Sequence, residues 1–240
     1  MLRARLKASF LRLLISMILV AMVSAITHRY WYADDLMWAG GIQGVKLIAL
    51  VDVVLGPVLT FILFNPGKKG LLSDMIIIGC LQCLCFAFGT WALYDQRPAA
   101  FVLSDDGVHL LSNHTVQKHT LKLPGSQAKP QLLFLDLPSD TSTWGAIKFS
   151  TELADGVPLF YRDDLYVPLE STSADDYEKR INLIQSSMKL TENVALPEAP
   201  KDDCAWIPIF SKHLDGVVCF NQTRGAIDVI ESKITVEESP

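Results

Sequence analysis

The chain has 240 residues, half of them hydrophobic, and a net charge of −5 split unevenly: +4 over residues 1–94 and −9 over residues 95–240. This asymmetry implies two parts in different solvents, the second long enough to bury its own core. An acidic second part lacks the clustered Lys and Arg needed to neutralise phosphates, so no nucleic-acid partner is expected.

The chain opens on Arg3, Arg5, Lys7 and Arg12, which precede and interrupt an apolar run at 8–27. A helix rises 1.5 Å per residue, so about 20 apolar residues cross a bilayer. The same run also fits a secretory leader with Val23-Ser24-Ala25 as its cleavage site. Either route delivers residue 28 to the outer side.

A second run, 46–64, holds one carboxylate, Asp52, and a Gly56-Pro57 pair, and stops at Asn65-Pro66-Gly67-Lys68-Lys69. A third, 71–94, has Asp74 near its start and Cys80, Cys83 and Cys85 inside it. Lys and Arg mark cytoplasmic flanks. The basic start and Lys68-Lys69 therefore lie inside, whereas Arg29 and Lys46 are offset by Asp34 and Asp35 on the other side. The expectation is a three-helix membrane anchor over 1–94, its N-terminus cytoplasmic, followed by an outer domain over 95–240. Tyr30, Trp31, Tyr32, Trp38, Trp91 and Tyr94 fall at the outer ends, where interfacial aromatics gather. The three cysteines read as small buried hydrophobes, not metal ligands: no His is nearby, and Cys80 and Cys85 fall on different helical faces.

A carboxylate inside a span is costly, which makes Asp52 a candidate functional residue. It lies about 9 Å from Lys46 by helical rise. Two readings stay open. Asp52 pairs inside its own bundle, with Lys46, Gln43 or Gln82, or it meets a polar or cationic group on a client helix. The Gly56-Pro57 pair frees backbone acceptors and bends the helix, which leaves room for a fourth helix.

In the second part, apolar segments 101–104 and 108–111 flank Asp105-Asp106-Gly107, a hairpin signal. Residues 113–129 read as polar and irregular. A strand follows at 131–137, a short helix at 141–153 with Asp140 as cap, and an extended segment at 165–169. Residues 173–190 give the best helix, with Ser173 as N-cap, an acidic first turn, and Tyr177, Ile181, Ile184 and Met188 on one face. Strands at 205–210, 216–220 and 226–230 close the domain, and 231–240 reads as a frayed acidic tail. The fold class expected is a three-helix anchor followed by an α+β domain with antiparallel strands. Cys204 and Cys219 flank the hairpin of the first two closing strands, where an exported domain permits a disulfide.

No phosphate loop, zinc-protease motif or nucleophile elbow occurs. His109, His114 and His119 recur at a spacing of five, but without converging carboxylates they read as loop histidines. The pairs Asp163-Asp164, Asp175-Asp176 and Asp202-Asp203 read as caps and solvated loops, because adjacent strand carboxylates point apart. Asn113-His114-Thr115 and Asn221-Gln222-Thr223 match the glycosylation pattern. Nothing argues for an enzyme, a metal or a cofactor.

Residues 51–69, VDVVLGPVLTFILFNPGKK, closely resemble the signature span of the TfpX/TfpZ family of type IV pilin accessory proteins, related to FimB-type proteins of pilin loci. The acidic start of the third run, its Arg97-Pro98 end, and the outer segments Tyr166–Leu169 and Trp206–Ile209 follow in matching order. The polar insert at 113–129 and the missing proline-rich linker depart from the family. The resemblance implies a multi-pass protein of the bacterial inner membrane with a periplasmic domain. It also implies a non-enzymatic, chaperone-like role in assembling type IV pili, and so in twitching motility. The implied partners are the cognate major pilin, the inner-membrane pilus machinery and the bilayer. Asp52, Gly56, Pro57, Asn65 and Pro66 become the candidate partner-binding residues. The alternatives are a membrane-bound glycosyl- or acyltransferase acting on pilin, and a structural or sensor subunit of another envelope complex.

Overall fold

The computed structural model describes residues 2–32, 36–65, 67, 70–125, 129–138, 141–154, 156–190, 204–212, 215–221, 225–231 and 234–236. The chain divides into two compact units, Met1–Arg97 and Pro98–Pro240.

The first unit holds three helices long and apolar enough to cross a membrane, Leu2–Trp31, Gly41–Leu63 and Leu71–Asp95. The first is α1 (Leu2–Ile26) continued by a π-helical turn to Trp31. It begins inside the basic segment because Arg and Lys are good helix formers. The second joins α2 (Gly41–Ala49) to α3 (Gly56–Leu63) through a π-helical stretch, Leu50–Leu55. The third is α4 (Leu71–Asp95).

The burial pattern of this unit is inverted. Ile18 (68% exposed), Leu47, Ile62 and Leu84 (69% exposed) face outward, while Ser16, Asp52, Thr60 and Gln82 are buried. Lipid favours this arrangement and water opposes it. Cys80, Cys83 and Cys85 are also exposed, which corrects the expectation that they are buried. They sit on the outward flank of α4 with the other apolar side chains. Glycines let the helices approach closely. A side chain at Gly44 would meet Leu93, one at Gly89 would meet Ile48 at 2.9 Å, and one at Gly56 would overlap Gln82. At one end of the unit Trp31 and Tyr94 pack edge to face at 5.3 Å, and the Arg97 guanidinium lies 3.9 Å from the Tyr94 ring. Tyr32 is fully buried there, donates to the Leu93 carbonyl at 3.3 Å, and burial pushes its phenol up to about 12 against the charge of Arg97.

The second unit is built on a seven-stranded sheet of order β4-β3-β1-β2-β6-β7-β8. Its strands are β1 (Pro98–Leu103), β2 (Val108–Ser112), β3 (Gln131–Leu135), β4 (Tyr166–Pro168), β6 (Ala205–Phe210), β7 (Asp215–Asn221) and β8 (Gly225–Glu231). β1 and β2 form the expected hairpin, but β1 runs parallel to β3, and β2 runs parallel to β6. The sheet is therefore mixed, not antiparallel. Parallel neighbours need a crossover, so the chain leaves β1, passes through β2 and the insert after it, and returns as β3. This insert is also less irregular than expected: α5 (Asn113–Lys118) starts where the Ser112 hydroxyl accepts the Thr115 N–H at 3.2 Å. Asn113 is buried, which removes it as a glycosylation acceptor.

β1 is buried along both faces, as a central strand should be. Ala100 and Val102 pack with Leu111, Val116, Leu133, Leu135, Leu159 and Tyr166 into one core cluster. Gly107 has φ of 153°, and a Cβ there would lie 2.6 Å from the Pro208 carbonyl, so the β1–β2 turn closes directly on β6. α6 (Thr141–Phe149) continues as a π turn to Ala154; its expected cap, Asp140, lies outside the described residues. α7 (Ala174–Ser187) has the expected cap, the Asp176 N–H donating to Ser173 at 3.1 Å. It bonds both halves of the sheet: Tyr177 donates to the Phe220 carbonyl, Gln185 to Trp206 and Arg180 to Leu135. The helix stops at Ser187, short of 190. Residues Met188–Leu190 form β5 instead and pair antiparallel with β9 (Ile234–Val236), a strand where a frayed tail was expected.

The turn after β1 carries a charge cluster with a testable pH signature. His109 stacks on Phe160 at 3.8 Å and bonds Asp106 at 2.8 Å, while Lys148 pairs with Asp105 at 2.9 Å. Burial alone would raise the Asp106 carboxyl. The His109 bond and charge, its own backbone amide and Lys148 outweigh this and hold it below the ordinary aspartate range. A depressed folded-state pKa contributes stability above the unfolded value, near 4, which is lost as pH falls through the folded value. The thermal midpoint should therefore fall below pH 4 in the wild type, and Asp106→Asn should flatten that limb. Identical acid profiles would refute this role.

Candidate functional site

Pro57 has no N–H, so a helix passing through it cannot close the bond to residue 53. An i→i+5 pattern is one way a helix accommodates such a break, and π turns recur at functional sites. The second helix is π-helical over Leu50–Leu55, the stretch that carries Asp52, and returns to α geometry at Gly56. Hydroxyls bond the two carbonyls just past the break. Thr60 donates to the Gly56 carbonyl at 2.9 Å, and Ser9 of α1 donates to the Pro57 carbonyl at 2.9 Å.

Asp52 is 5% exposed and one helical turn from Gly56. Gln82 of α4 lies against Gly56 so closely that any side chain there would displace it. Arg12 of α1 donates through Nη2 to Gln82 Oε1, and Arg12 is the cation that acts on Asp52. Each helix thus contributes at least one polar side chain to a single seam. Asp52 Oδ2 and Gln82 Nε2 have no hydrogen-bond partner among the described residues.

The structure therefore brings Asp52, Gly56 and Pro57 together, and adds Ser9, Arg12, Thr60 and Gln82 to them. Asn65 sits beyond the end of α3, roughly two helical turns from Gly56. Pro66, Lys68 and Lys69, like Asp34 and Asp35, lie outside the described residues. Lys46 and Gln43 are exposed and do not join Asp52, which corrects two of the expected in-bundle partners. The signal for Arg12 was present: Arg5, Ser9, Arg12 and Ser16 recur at spacings of four, three and four, a polar stripe on one face of an apolar helix.

The remaining candidates are structural. No metal-binding group occurs among the described residues. His119 stacks on Tyr161 at 4.4 Å. Asp163 accepts the Lys122 N–H at 2.8 Å, and Arg162 grips Asp164 through two bonds of 2.7 Å. Asp202, Asp203, Gln222 and Thr223 lie outside the described residues. Cys204 and Cys219 are joined, with Cα atoms 5.4 Å apart. Cys219 faces Trp206 in the β6–β7 register, so Cys204, two residues before Trp206, is its diagonal neighbour on the same face.

No family model matches the chain, and no solved structure gives a significant match. Curated proteins of Dichelobacter nodosus are similar to it, two of them as follows. One, described as "Fimbrial assembly protein, serogroups C1 and C2", is 33% identical over 111 residues, covering 44% of this chain and 83% of its own length. The other, described as "Fimbrial assembly protein, serogroup I", is 33% identical over 111 residues, covering 44% of this chain and 42% of its own length.

Proposed function

Because the chain belongs to the family of fimbrial assembly proteins, we propose that it acts in building bacterial fimbriae of the type IV class, as a membrane-embedded accessory factor with no catalytic step of its own. The likeness to the two Dichelobacter nodosus proteins carries this reading. In it, the three helices cross the inner membrane with the N-terminus inside and the sheet unit in the periplasm. A fimbrial subunit before assembly has a membrane helix and an outer head. An accessory protein that holds it in a chaperone-like way needs contacts for both.

The seam around Asp52 suits the first contact. Arg12 acts on the charge of Asp52 from within the bundle, while Asp52 Oδ2 stays without a hydrogen-bond partner among the described residues. Gly56 and Pro57 set the break, and the exposed flank beside it, Val54, Leu55 and Val58, is where the subunit's helix packs. Similar membrane helices discriminate poorly among themselves, so specificity falls to the head and the sheet unit.

The test is in vivo photocrosslinking. A photoreactive residue at Val54 or Leu55 should capture the major pilin, whereas one at Leu84, on the outward flank of α4, should not. Deleting the gene should strip the cells of surface pili, and the wild-type gene should restore them. Full piliation without the protein would overturn the reading.

A further inference from the structure

The sheet unit carries a cleft of about 640 Å³ between β3, α6 and α7, inside the range of roughly 300–1,000 Å³ typical of ligand sites. Its walls are apolar: Phe134 and Leu137 from β3 and the residues after it, Trp144 and Ile147 from α6, and Leu183 from α7. Leu183 is 49% exposed and lies on the flank of α7 that lines the cleft.

Four charged side chains share the cleft, and they balance: Lys179 and Arg180 against Asp136 and Asp176. Two of them are occupied elsewhere. Lys179 pairs with Asp175, and Asp176 is bonded to Ser173. Arg180 lies over the Phe134 ring at 4.8 Å and spends Nη2 on the Leu135 carbonyl at 3.3 Å. Its Nη1 is buried and has no acceptor among the described residues. Asp136 is within electrostatic reach of Arg180, yet no hydrogen bond to its carboxylate occurs among the described residues.

The cleft therefore holds one buried, unfilled donor, Arg180 Nη1, and one exposed carboxylate, Asp136, beside apolar walls. A carboxylate or phosphate ligand would face Asp136 and Asp176, and a cationic ligand would face Arg180 and Lys179. A peptide unit meets neither objection, because it offers a C=O and an N–H and carries no charge. We propose that this cleft binds an extended apolar peptide segment of a partner protein. A carbonyl of that segment accepts from Arg180, a neighbouring N–H donates to Asp136, and a side chain packs between Trp144, Ile147 and Leu183. The proposal stands whether or not that partner is a fimbrial subunit.

Fluorescence polarisation of the full chain in lipid nanodiscs tests it, with empty discs as the baseline. The probe is an end-blocked, fluorescein-labelled pentapeptide, Leu-Val-Ile-Thr-Val. Saturable binding is expected, weakened at least tenfold by Leu183→Glu, by Arg180→Met, and by methylation of the peptide's backbone nitrogens. Leu183→Glu alters an exposed position, so its circular dichroism should match the wild type even if Arg180→Met disturbs the fold. Absence of saturable binding, or equal affinity in Leu183→Glu, overturns the proposal. Displacement of the peptide by decanoate at lower concentration than by unlabelled peptide would also overturn it, in favour of an amphiphilic anion.

Discussion

Arg12→Ala is expected to destabilise the helical unit by about 2–3 kcal/mol, the sum of a lost interhelical hydrogen bond and a lost electrostatic coupling. Two losses combine. Gln82 Oε1 loses its donor, and Asp52 loses the cation that acts on it. The first is small, since interhelical hydrogen bonds in membranes average roughly 0.6 kcal/mol. The second dominates, because Asp52 is 5% exposed and Oδ2 is already without a partner among the described residues. The double variant Arg12→Ala/Asp52→Asn should therefore recover most of the loss, with a coupling on the order of 2 kcal/mol. Unfolding in detergent micelles, followed by circular dichroism, reads both numbers. If Asp52→Asn leaves the Arg12→Ala defect unchanged, the two side chains are not coupled, and the seam is a set of independent contacts.

The second large effect is expected from Cys204→Ser/Cys219→Ser. The bond closes a loop with a sequence separation of 15, for which chain entropy gives about 3 kcal/mol. In a unit of this size the thermal midpoint should fall by roughly 10 °C. Reductant should lower the wild-type midpoint to that of the variant and leave the variant where it is. Thiol titration supplies the count: three reactive thiols before reduction, from Cys80, Cys83 and Cys85, and five after it. Five before reduction would show that the bridge is absent.

Local signals were legible in the chain. Three apolar runs long enough for a bilayer announce the three long helices, because a span is defined by its own composition. Asp105-Asp106-Gly107 between apolar segments announces the β1–β2 hairpin, and the Ser173 cap with one apolar face announces α7, because turns and caps are settled by neighbouring residues. Asp52, Gly56 and Pro57 stood out for the same reason: a charge and a helix break are anomalies in any apolar run.

What required the tertiary structure is pairing between distant segments. Strand direction in β1–β3 and β2–β6 depends on how the chain returns, and no single strand encodes that. β9 is a strand only because Met188–Leu190 lies beside it; alone, three residues bury too little to offset their ordering. Arg12 and Gln82 are 70 residues apart, and each taken singly is an interruption or a mild polar residue in an apolar run. Brought together with Asp52 in a low-dielectric seam, they share one charge balance. The sequence by itself determined that a buried carboxylate needed a partner. Only the packing of three helices decided that the cation acting on it is Arg12, from the chain's own first helix.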